Sequence, residues 1–416
     1  DGTFSYTTTA IKTPFTAGLT NRKQIQIQLF IAPGYDLQVN ANVKDFKSVK
    51  QTLSYQGLGG KTNSYWTTIS ANYKPEIINW LEKDEDTYIN YLKQPNYVVE
   101  AISKTFNADN MEPYSAYFKE VLLLDRKFGQ YLDILGSYGD KNSYTWVQIE
   151  KMIAKLGYKA LSEEFKDGKN LSSSVFCYLL GQYPYYCKKY GAFNSDIPGT
   201  GMNYYSLLTA SKYFKGEVYD FVVSTQLKSR LPSMSKLEEF TRVEPFILKI
   251  EDPIVSNEIK KLANVRKQAA LILQVGAPSP LFNLADTSGK FHRLEAMKGK
   301  VVYIDLWASW CGPCKVETPH LKKIYDHFKN DDKIQFISIA SFDAKNRKER
   351  YKIIKADKMV WLQLEDTSDS FAKSYFANSI PRFIIIDKQG KIVDNDAVRP
   401  SEPAKLMAIL KREISK

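Results

Sequence analysis

Two cysteines separated by two residues are the most reactive feature of the sequence. They stand in Trp310-Cys311-Gly312-Pro313-Cys314, directly after an apolar run that ends at Leu306. The residues that follow continue at helical spacing, so the pair is predicted to lie at the start of a helix. The positive end of a helix favours a thiolate at Cys311, and the thiolate is the nucleophile of disulfide exchange. Cys314, one turn later, is placed to resolve the mixed disulfide.

A zinc site is the main competing explanation for cysteines at this spacing. The nearest other cysteine, Cys187, lies 124 residues before Cys311. The histidines also form no second pair at zinc-ligand spacing; they are His292, His320 and His327. A purely structural disulfide is disfavoured, because so short a loop constrains little chain. The sequence therefore predicts a redox site that uses neither a metal nor another cofactor.

The other two cysteines leave two alternatives open. Cys177 and Cys187 flank Gly181-Gln182-Tyr183-Pro184, which interrupts a helical pattern. If the interruption is a turn between two helices, the sulfurs face each other and can bond. If one helix runs through, ten residues at about 1.5 Å rise hold them roughly 15 Å apart, beyond the reach of a disulfide. Neither cysteine has a visible activating partner.

The apolar pattern divides the chain into three regions. Residues 1–66 alternate with period two, as in Gln24–Ile31, which predicts a β-rich N-terminal domain with a β-sandwich fold. Residues 67–273 repeat at three- and four-residue steps, as from Tyr117 to Leu135, which predicts an α-helical domain. In residues 274–416 short apolar runs alternate with helical patterns, which predicts an α/β domain whose sheet is buried on both faces.

The composition is that of a folded chain. Its 416 residues are 44% hydrophobic, 25% charged and 13% aromatic, which excludes wholesale disorder. No apolar run approaches the roughly 18 residues of a membrane-spanning helix. The net charge of +12 is concentrated from Lys345 to Lys358 on a predicted helix. A solvated helix face is favoured there over a surface for an acidic partner, and nucleic acid is not expected as a partner.

The C-terminal third resembles the thioredoxin superfamily, and more narrowly its exported TlpA- and ResA-like thiol–disulfide oxidoreductases. The features that match in register are the Cys311 motif, Asp305 six residues before Cys311, Pro319 five residues after Cys314, Ile380-Pro381 ahead of a strand, and the Gly276–Pro280 entry. The 70 residues from Cys311 to Pro381 exceed a minimal thioredoxin, which resembles the helical insertion of the exported branch. The N-terminal arrangement, with Pro33-Gly34-Tyr35-Asp36 in a strand-rich start and Gly57–Gly60 leading to Asn63, resembles that of multidomain thioredoxin-like proteins of the Bacteroidetes periplasm.

The resemblance implies a role for each of several residues. Cys311 and Cys314 form the redox-active dithiol. Asp305 and Glu317 are two alternatives for the group that takes the Cys314 proton, and burial at the end of a strand is expected to raise the pKa of Asp305. A merely structural Asp305 and a surface ion pair at Glu317 remain the competing interpretations.

The resemblance also implies a substrate-binding surface. Pro381 is expected to follow a cis peptide bond, because X–Pro is the one bond at which cis costs little. A proline at this place leaves the backbone of the preceding residue free to pair with a substrate strand. The residues expected to contact the substrate or to shield the thiols are Trp310, Gly312, Pro313 and Ile380.

Taken together, these roles imply a protein-disulfide reductase that receives electrons from a thiol donor. Gly-Pro between the cysteines resembles the reducing thioredoxins. A peroxiredoxin-like peroxidase and a partner-binding protein with an accessory redox domain are the alternatives. The chain starts at Asp1 without Met, which fits the removal of a signal peptide or a membrane tether upstream. A periplasmic or cell-envelope location is expected from the resemblance.

Overall fold

The computed structural model of the protein describes residues 11–20, 26–72, 82–139, 142–190 and 202–416. The chain forms two compact units, Asp1–Val222 and Val223–Lys416. The start of the predicted β-rich region before residue 11, together with Gln24 and Ile25, lies outside the described residues, as do residues 73–81 and 191–201 of the predicted helical region.

The first unit begins with two antiparallel sheets of two strands each. The pairs are β1 (Phe15–Thr20) with β2 (Gln26–Ile31), and β3 (Gln38–Asn40) with β4 (Ser54–Gln56). Helices α1 (Phe46–Thr52) and α2 (Gly60–Asn72) occupy much of the remaining sequence. Asp45 starts α1 by accepting a hydrogen bond from the N–H of Ser48, a helix-start signal that competes with the strand pattern. The strands are present, but the described residues do not show the expected β-sandwich.

Beyond these sheets the regular elements described in the first unit are helices, as the period of three to four predicts. The Tyr117 to Leu135 stripe lies on α5 and on the π-helical turn Ile134–Tyr138 that follows it. The helices are α3 (Glu85–Lys93), α4 (Tyr97–Thr105), α5 (Ser115–Asp133), α6 (Trp146–Lys155), α7 (Leu161–Glu164), α8 (Ser174–Lys189) and α9 (Met202–Tyr213), with 3₁₀ turns at Ala108–Asn110 and Gly168–Ser172.

Cys177 and Cys187 lie in one continuous helix, α8, which runs through Pro184. Both cysteines are free thiols. A proline costs a helix one backbone hydrogen bond but need not end it where neighbouring elements pack around the helix. The alternative of a single helix is therefore confirmed, and the alternative of a helical hairpin closed by a disulfide is wrong.

The second unit is built on a seven-stranded mixed sheet. Its strands are β5 (Asn283–Asp286), β6 (Phe291–Arg293), β7 (Val301–Trp307), β8 (Ile334–Ala340), β9 (Leu362–Glu365), β10 (Arg382–Ile386) and β11 (Ile392–Asp394). The spatial order is β11-β10-β7-β8-β9-β5-β6. Strands β7, β8 and β9 run parallel, and the remaining pairs are antiparallel.

The second unit also contains helices. They are α11 (Leu237–Ile247), α12 (Pro253–Ile272), α13 (Gly312–Phe328), α14 (Arg347–Ala356), α15 (Ser370–Ser374) and α16 (Pro403–Ser415), with 3₁₀ turns at Leu231–Ser233 and Leu294–Met297, and the sequence boundary between the units falls within α10 (Gly216–Arg230). No helix in the described ranges combines the length and the apolar character needed to cross a membrane.

The side chains of the central strand β7 point alternately into two hydrophobic cores, one on each face of the sheet. Val301 and Tyr303 pack with residues of α13 and α16, whereas Val302 and Ile304 pack with residues of α15 on the other face. Successive side chains of a strand point to opposite faces, so Asp305 shares the face of Val301 and Tyr303. The prediction of a sheet buried on both faces is confirmed.

Candidate redox site

A disulfide joins Cys311 and Cys314 at the start of α13. The two sulfurs are 2.02 Å apart and the two Cα atoms 5.3 Å. Cys311 is the N-cap residue, and its Sγ accepts a hydrogen bond from the N–H of Cys314 at 3.2 Å. The first turn of α13 contains no acidic residue, so nothing in that turn opposes the attraction of the helix N-terminus for a thiolate.

The two cysteines and the adjacent Trp310 differ sharply in exposure to solvent. Cys311 and Cys314 are each 3% exposed, whereas the side chain of Trp310 is 58% exposed. The indole Nε1 of Trp310 donates a hydrogen bond to the carbonyl of Phe342 at 2.9 Å. The buried pair therefore lies beside an exposed aromatic surface. Gly312 and Pro313 form the first turn between the cysteines.

Asp305 is buried on the sheet face that packs against the cysteines. It is 5% exposed, and its Oδ2 accepts a hydrogen bond from the hydroxyl of Ser338 at 2.7 Å. Ser338 in turn accepts a hydrogen bond from the indole of Trp361 at 2.8 Å. Burial raises the pKa of Asp305 to about 7, against the opposing hydrogen bond from Ser338, and the charge of Glu317 adds to the increase.

Glu317 lies one turn after Cys314 and is also buried. Its carboxylate accepts two hydrogen bonds from Ser401, from the N–H and from the hydroxyl, each at 2.9 Å. The guanidinium of Arg399 approaches to 3.9 Å. Glu317 thus differs from an exposed helix-surface ion pair, because Ser401 already occupies both of its oxygens.

The peptide bond between Ile380 and Pro381 is cis. Pro381 directly precedes β10, and the side chain of Ile380 packs against the core that contains both cysteines. Neither the N–H nor the carbonyl of Ile380 forms a hydrogen bond with another described residue. The backbone at this point is therefore available for a further strand.

A polar network that the sequence analysis missed fixes the loop before the cysteines. Asp343 is buried and accepts hydrogen bonds from the N–H and the hydroxyl of Ser309 at 2.9 and 2.8 Å. Arg350, on the basic helix α14, is only 2% exposed and contacts Asp343 and Glu365. The charge run is thus exposed except at Arg350, which ties the insertion to the active-site loop. Only the interruption of the basic run by acidic residues hinted at such pairing.

No group of three or more potential metal-ligating side chains occurs among the described residues. The cysteines are already bonded to each other, and Asp305 and Glu317 both accept hydrogen bonds from serines. The arrangement of this site is that of a dithiol with buried carboxylates beside it. Such an arrangement can take up and release two electrons and two protons.

The model of the Redoxin family matches residues 274–410. The C-terminal part of this chain belongs to the thioredoxin superfamily. Its seven-stranded sheet and the helices around it form a thioredoxin-like fold. The comparisons with named superfamily members support thiol–disulfide oxidoreductase chemistry at the level of the family.

Individual superfamily members match the same part of the chain. Thiol-disulfide oxidoreductase ResA of Bacillus cereus is 28% identical over 123 residues, which are 29% of this chain and 69% of that protein. ResA of Bacillus subtilis is 30% identical over 118 residues, 28% of this chain and 64% of that protein. A crystal structure described as a thiol-disulfide oxidoreductase from Bacteroides vulgatus is 32% identical, with 34% of this chain and 98% of that one covered and a TM-score of 0.32.

Proposed function

We propose that the protein reduces disulfide bonds of partner proteins through Cys311 and Cys314. The observation that carries this proposal is the disulfide between these two residues at the first turn of α13. A disulfide over so few residues stabilises little chain, so a redox role explains it better than a structural one. Gly-Pro between the cysteines resembles the reducing thioredoxins, which supports the reducing direction.

The reaction proceeds in two exchanges that start from the reduced dithiol. The Cys311 thiolate attacks one sulfur of the partner disulfide, which breaks that bond, forms a mixed disulfide and releases the first partner thiolate. Cys314 then loses its proton and attacks the sulfur of Cys311. The mixed disulfide breaks, the second partner thiolate leaves, and the Cys311–Cys314 bond remains. The partner gains two electrons, which a thiol donor later returns to the protein.

Asp305 is the better placed of the two carboxylates to take the Cys314 proton. A pKa near the working pH is the most effective for a general base, and the pKa of Asp305 is raised to about 7. Its Oδ1 accepts no hydrogen bond from the described residues, whereas both oxygens of Glu317 are occupied by Ser401. Glu317 then acts on Asp305 through its charge, which helps to keep that pKa high.

The partner chain binds beside the cis peptide. The free N–H and carbonyl of Ile380 can pair with an extended strand of the partner, as in the addition of a strand to a sheet edge. Trp310 offers an exposed ring next to Cys311 in the chain, and the exposed Gly312 and Pro313 present a surface without a long side chain. We place this activity in the periplasm or cell envelope, where protein disulfides form.

Trapping of the mixed disulfide tests the proposal. A Cys314→Ser variant of the full chain, reduced and mixed with insulin, is expected to form a covalent complex that dithiothreitol dissolves. The Cys311→Ser variant lacks the attacking thiolate and is expected to form none. Cys177→Ser in the same background is the matched control and should trap insulin normally. A complex that forms without Cys311 would contradict the proposal.

A further inference from the structure

A small cavity of about 30 Å³ opens beside the cis proline. Unlike the surroundings of the two cysteines, it is lined by two arginines. Its wall includes Pro381 itself and the exposed Asn378 and Ser379 just before it. Arg266 of α12 and Arg382, the first residue of β10, form its charged part. The cavity therefore lies where the region upstream of residue 274 meets the loop expected to hold the substrate.

Two buried guanidinium groups converge in this cavity. Arg266 and Arg382 are each 7% exposed. Both donate to the same carbonyl oxygen, that of Phe376, from Nη2 of Arg266 at 3.1 Å and from Nη1 of Arg382 at 3.4 Å. Within the described residues, neither guanidinium has a carboxylate within ion-pair distance. In addition, Nε of Arg266 and Nη2 of Arg382 lack any hydrogen-bond partner there.

Asp396 and Asp394 act on Arg382 through their charges, but neither forms an ion pair with it. Asp396 is the one carboxylate among the residues that line the cavity, and its contact is a 3.4 Å hydrogen bond from the hydroxyl of Ser235. Asp394 pairs with Lys236 at 3.2 Å, and Glu239 accepts backbone N–H groups at the start of α11. Two buried cations against one carboxylate leave a net positive cavity. Backbone carbonyls accept some of their hydrogen bonds, but burying such charge without a carboxylate partner is costly, which favours the entry of an anion.

We propose that this cavity binds a carboxylate carried by the disulfide-containing partner. The proposal rests on the proposed function, since Pro381 forms part of both the cavity and the surface that would hold the partner chain. A guanidinium matches a carboxylate with paired N–H donors, and two guanidinium groups give the site its charge preference. A cavity of this volume holds about two waters, which suits the two oxygens of a carboxylate better than the larger phosphate.

Pairs of short peptides with an internal disulfide test the proposal on the full-length protein. Each pair differs in one residue, glutamate or glutamine, placed in turn at every position within four residues of the disulfide. We expect at least one position at which the glutamate peptide is reduced with a kcat/KM about tenfold above that of its glutamine partner. Equal rates at every position would overturn the carboxylate site and leave the proposed function intact.

Two substitutions that change the charge of the cavity wall give the sharper test. The proposal predicts that they move the glutamate-to-glutamine ratio of kcat/KM in opposite directions. Arg266→Gln is expected to bring the glutamate-to-glutamine ratio of kcat/KM close to one. Asp396→Asn removes the competing carboxylate and is expected to raise the ratio. Lys352→Gln removes an exposed positive charge from α14 and should leave the ratio as in the unmodified protein. A structural role alone would move the ratio for neither variant, and that result would contradict the proposal.

Two further measurements separate the remaining outcomes. Circular dichroism and thermal unfolding establish that each variant is folded before its ratio is used. If no peptide is reduced at all, the proposed function fails, and the cavity is tested by equilibrium binding of the same peptides with both cysteines replaced by serine. Tighter binding of a glutamate peptide would then support the site, and equal binding of every pair would overturn it.

Discussion

The molecule contains two pairs of cysteines, one in each compact unit, and they differ in almost every property that controls thiol chemistry. Cys311 and Cys314 are three residues apart at the N-terminus of α13 and are bonded. Cys177 and Cys187 are ten residues apart within α8 and are free. Burial raises the pKa of Cys177 to about 11, with a smaller contribution from the charge of Asp125, and raises the pKa of Cys187 to about 12.

The difference indicates that burial alone does not decide which cysteines can react, and that the position in the helix adds to its effect. All four side chains are largely removed from solvent. Of the four, only Cys311 is an N-cap residue, and its sulfur accepts an N–H. Cys177 instead donates to the carbonyl of Leu171, a contact that favours the thiol over the thiolate. The same residue type is therefore expected to be unreactive in one unit and is the proposed nucleophile in the other.

The largest effect should come from removing the thiol of Cys311. The matched removal of a thiol from the other pair is the control. Cys311→Ser is expected to lower the rate of insulin reduction by at least roughly 10³-fold, because the attacking thiolate is lost. Cys177→Ser, the matched change in the other pair, is expected to leave the rate within about twofold. Turbidity from insulin reduction measures both. A substantial loss in Cys177→Ser would show that the first unit contributes a reacting thiol.

Alkylation sharpens the contrast between the pairs. In the reduced protein at pH 7.5, iodoacetamide is expected to modify Cys311 first. Cys177 and Cys187 should react roughly a hundredfold more slowly than an unfolded thiol, since their raised pKa values suppress the thiolate. Mass spectrometry of tryptic peptides gives the rates, and denaturation with guanidinium should make all four cysteines equivalent. Fast labelling of Cys187 in the folded protein would contradict the pKa argument.

Asp305 is the proposed proton acceptor at the reactive pair, whereas the carboxylate near Cys177, that of Asp125, accepts hydrogen bonds from Ser173 and Val175. Asp305→Asn is expected to slow release of the mixed disulfide by on the order of a hundredfold while its formation changes little. In the unmodified protein, release should speed up as the pH rises through about 7, because Asp305 must be ionised to accept a proton. Stopped-flow measurements separate the two steps, with the exposed Asp332→Asn as control. Unchanged release rates in Asp305→Asn would remove Asp305 from the mechanism.

Asp305 should also leave a signature in stability. Its pKa rises from 3.8 in the unfolded chain to about 7 in the folded protein, so folding favours the protonated form. This contribution is complete below pH 4 and is lost as the pH rises from about 4 to 7. Asp305→Asn should therefore stabilise the oxidised protein at pH 8 by at most roughly 4 kcal/mol and by little at pH 4. Denaturant unfolding at the two pH values measures the difference, and an equal effect at both would contradict the raised pKa.

The smallest effects should come from Ser338 and Glu317, which shift the pKa of Asp305 in opposite directions. Ser338→Ala removes a hydrogen bond that lowers the pKa of Asp305, so the midpoint of the release rate should move up by less than about one pH unit. Glu317→Gln removes a charge that raises it, so the midpoint should move down. A pH series of stopped-flow rates tests both. Shifts of the same sign would show that another group titrates.

Local patterns were enough to predict three of the seven strands of the redox domain, the long helices of the first unit and the position of the dithiol. Alternation and helical period are properties of neighbouring residues, so Val301–Trp307 and Ser115–Asp133 could be predicted without tertiary information. The prediction of a β-sandwich was wrong for the same reason, because it too rested on a pattern of neighbouring residues. Period two in Gln26–Ile31 predicts a strand, but it does not say how many strands will pair.

The sequence by itself determined which residues could perform thiol exchange, because two cysteines at a helix start suffice to define that chemistry. Only the tertiary structure decided what surrounds them. The hydrogen bonds of Glu317 with Ser401 span 84 residues, those of Asp343 with Ser309 span 34, and Arg266 and Arg382 meet at one carbonyl from separate elements. Contacts between residues so far apart in the chain depend on how the elements pack, which no local pattern contains.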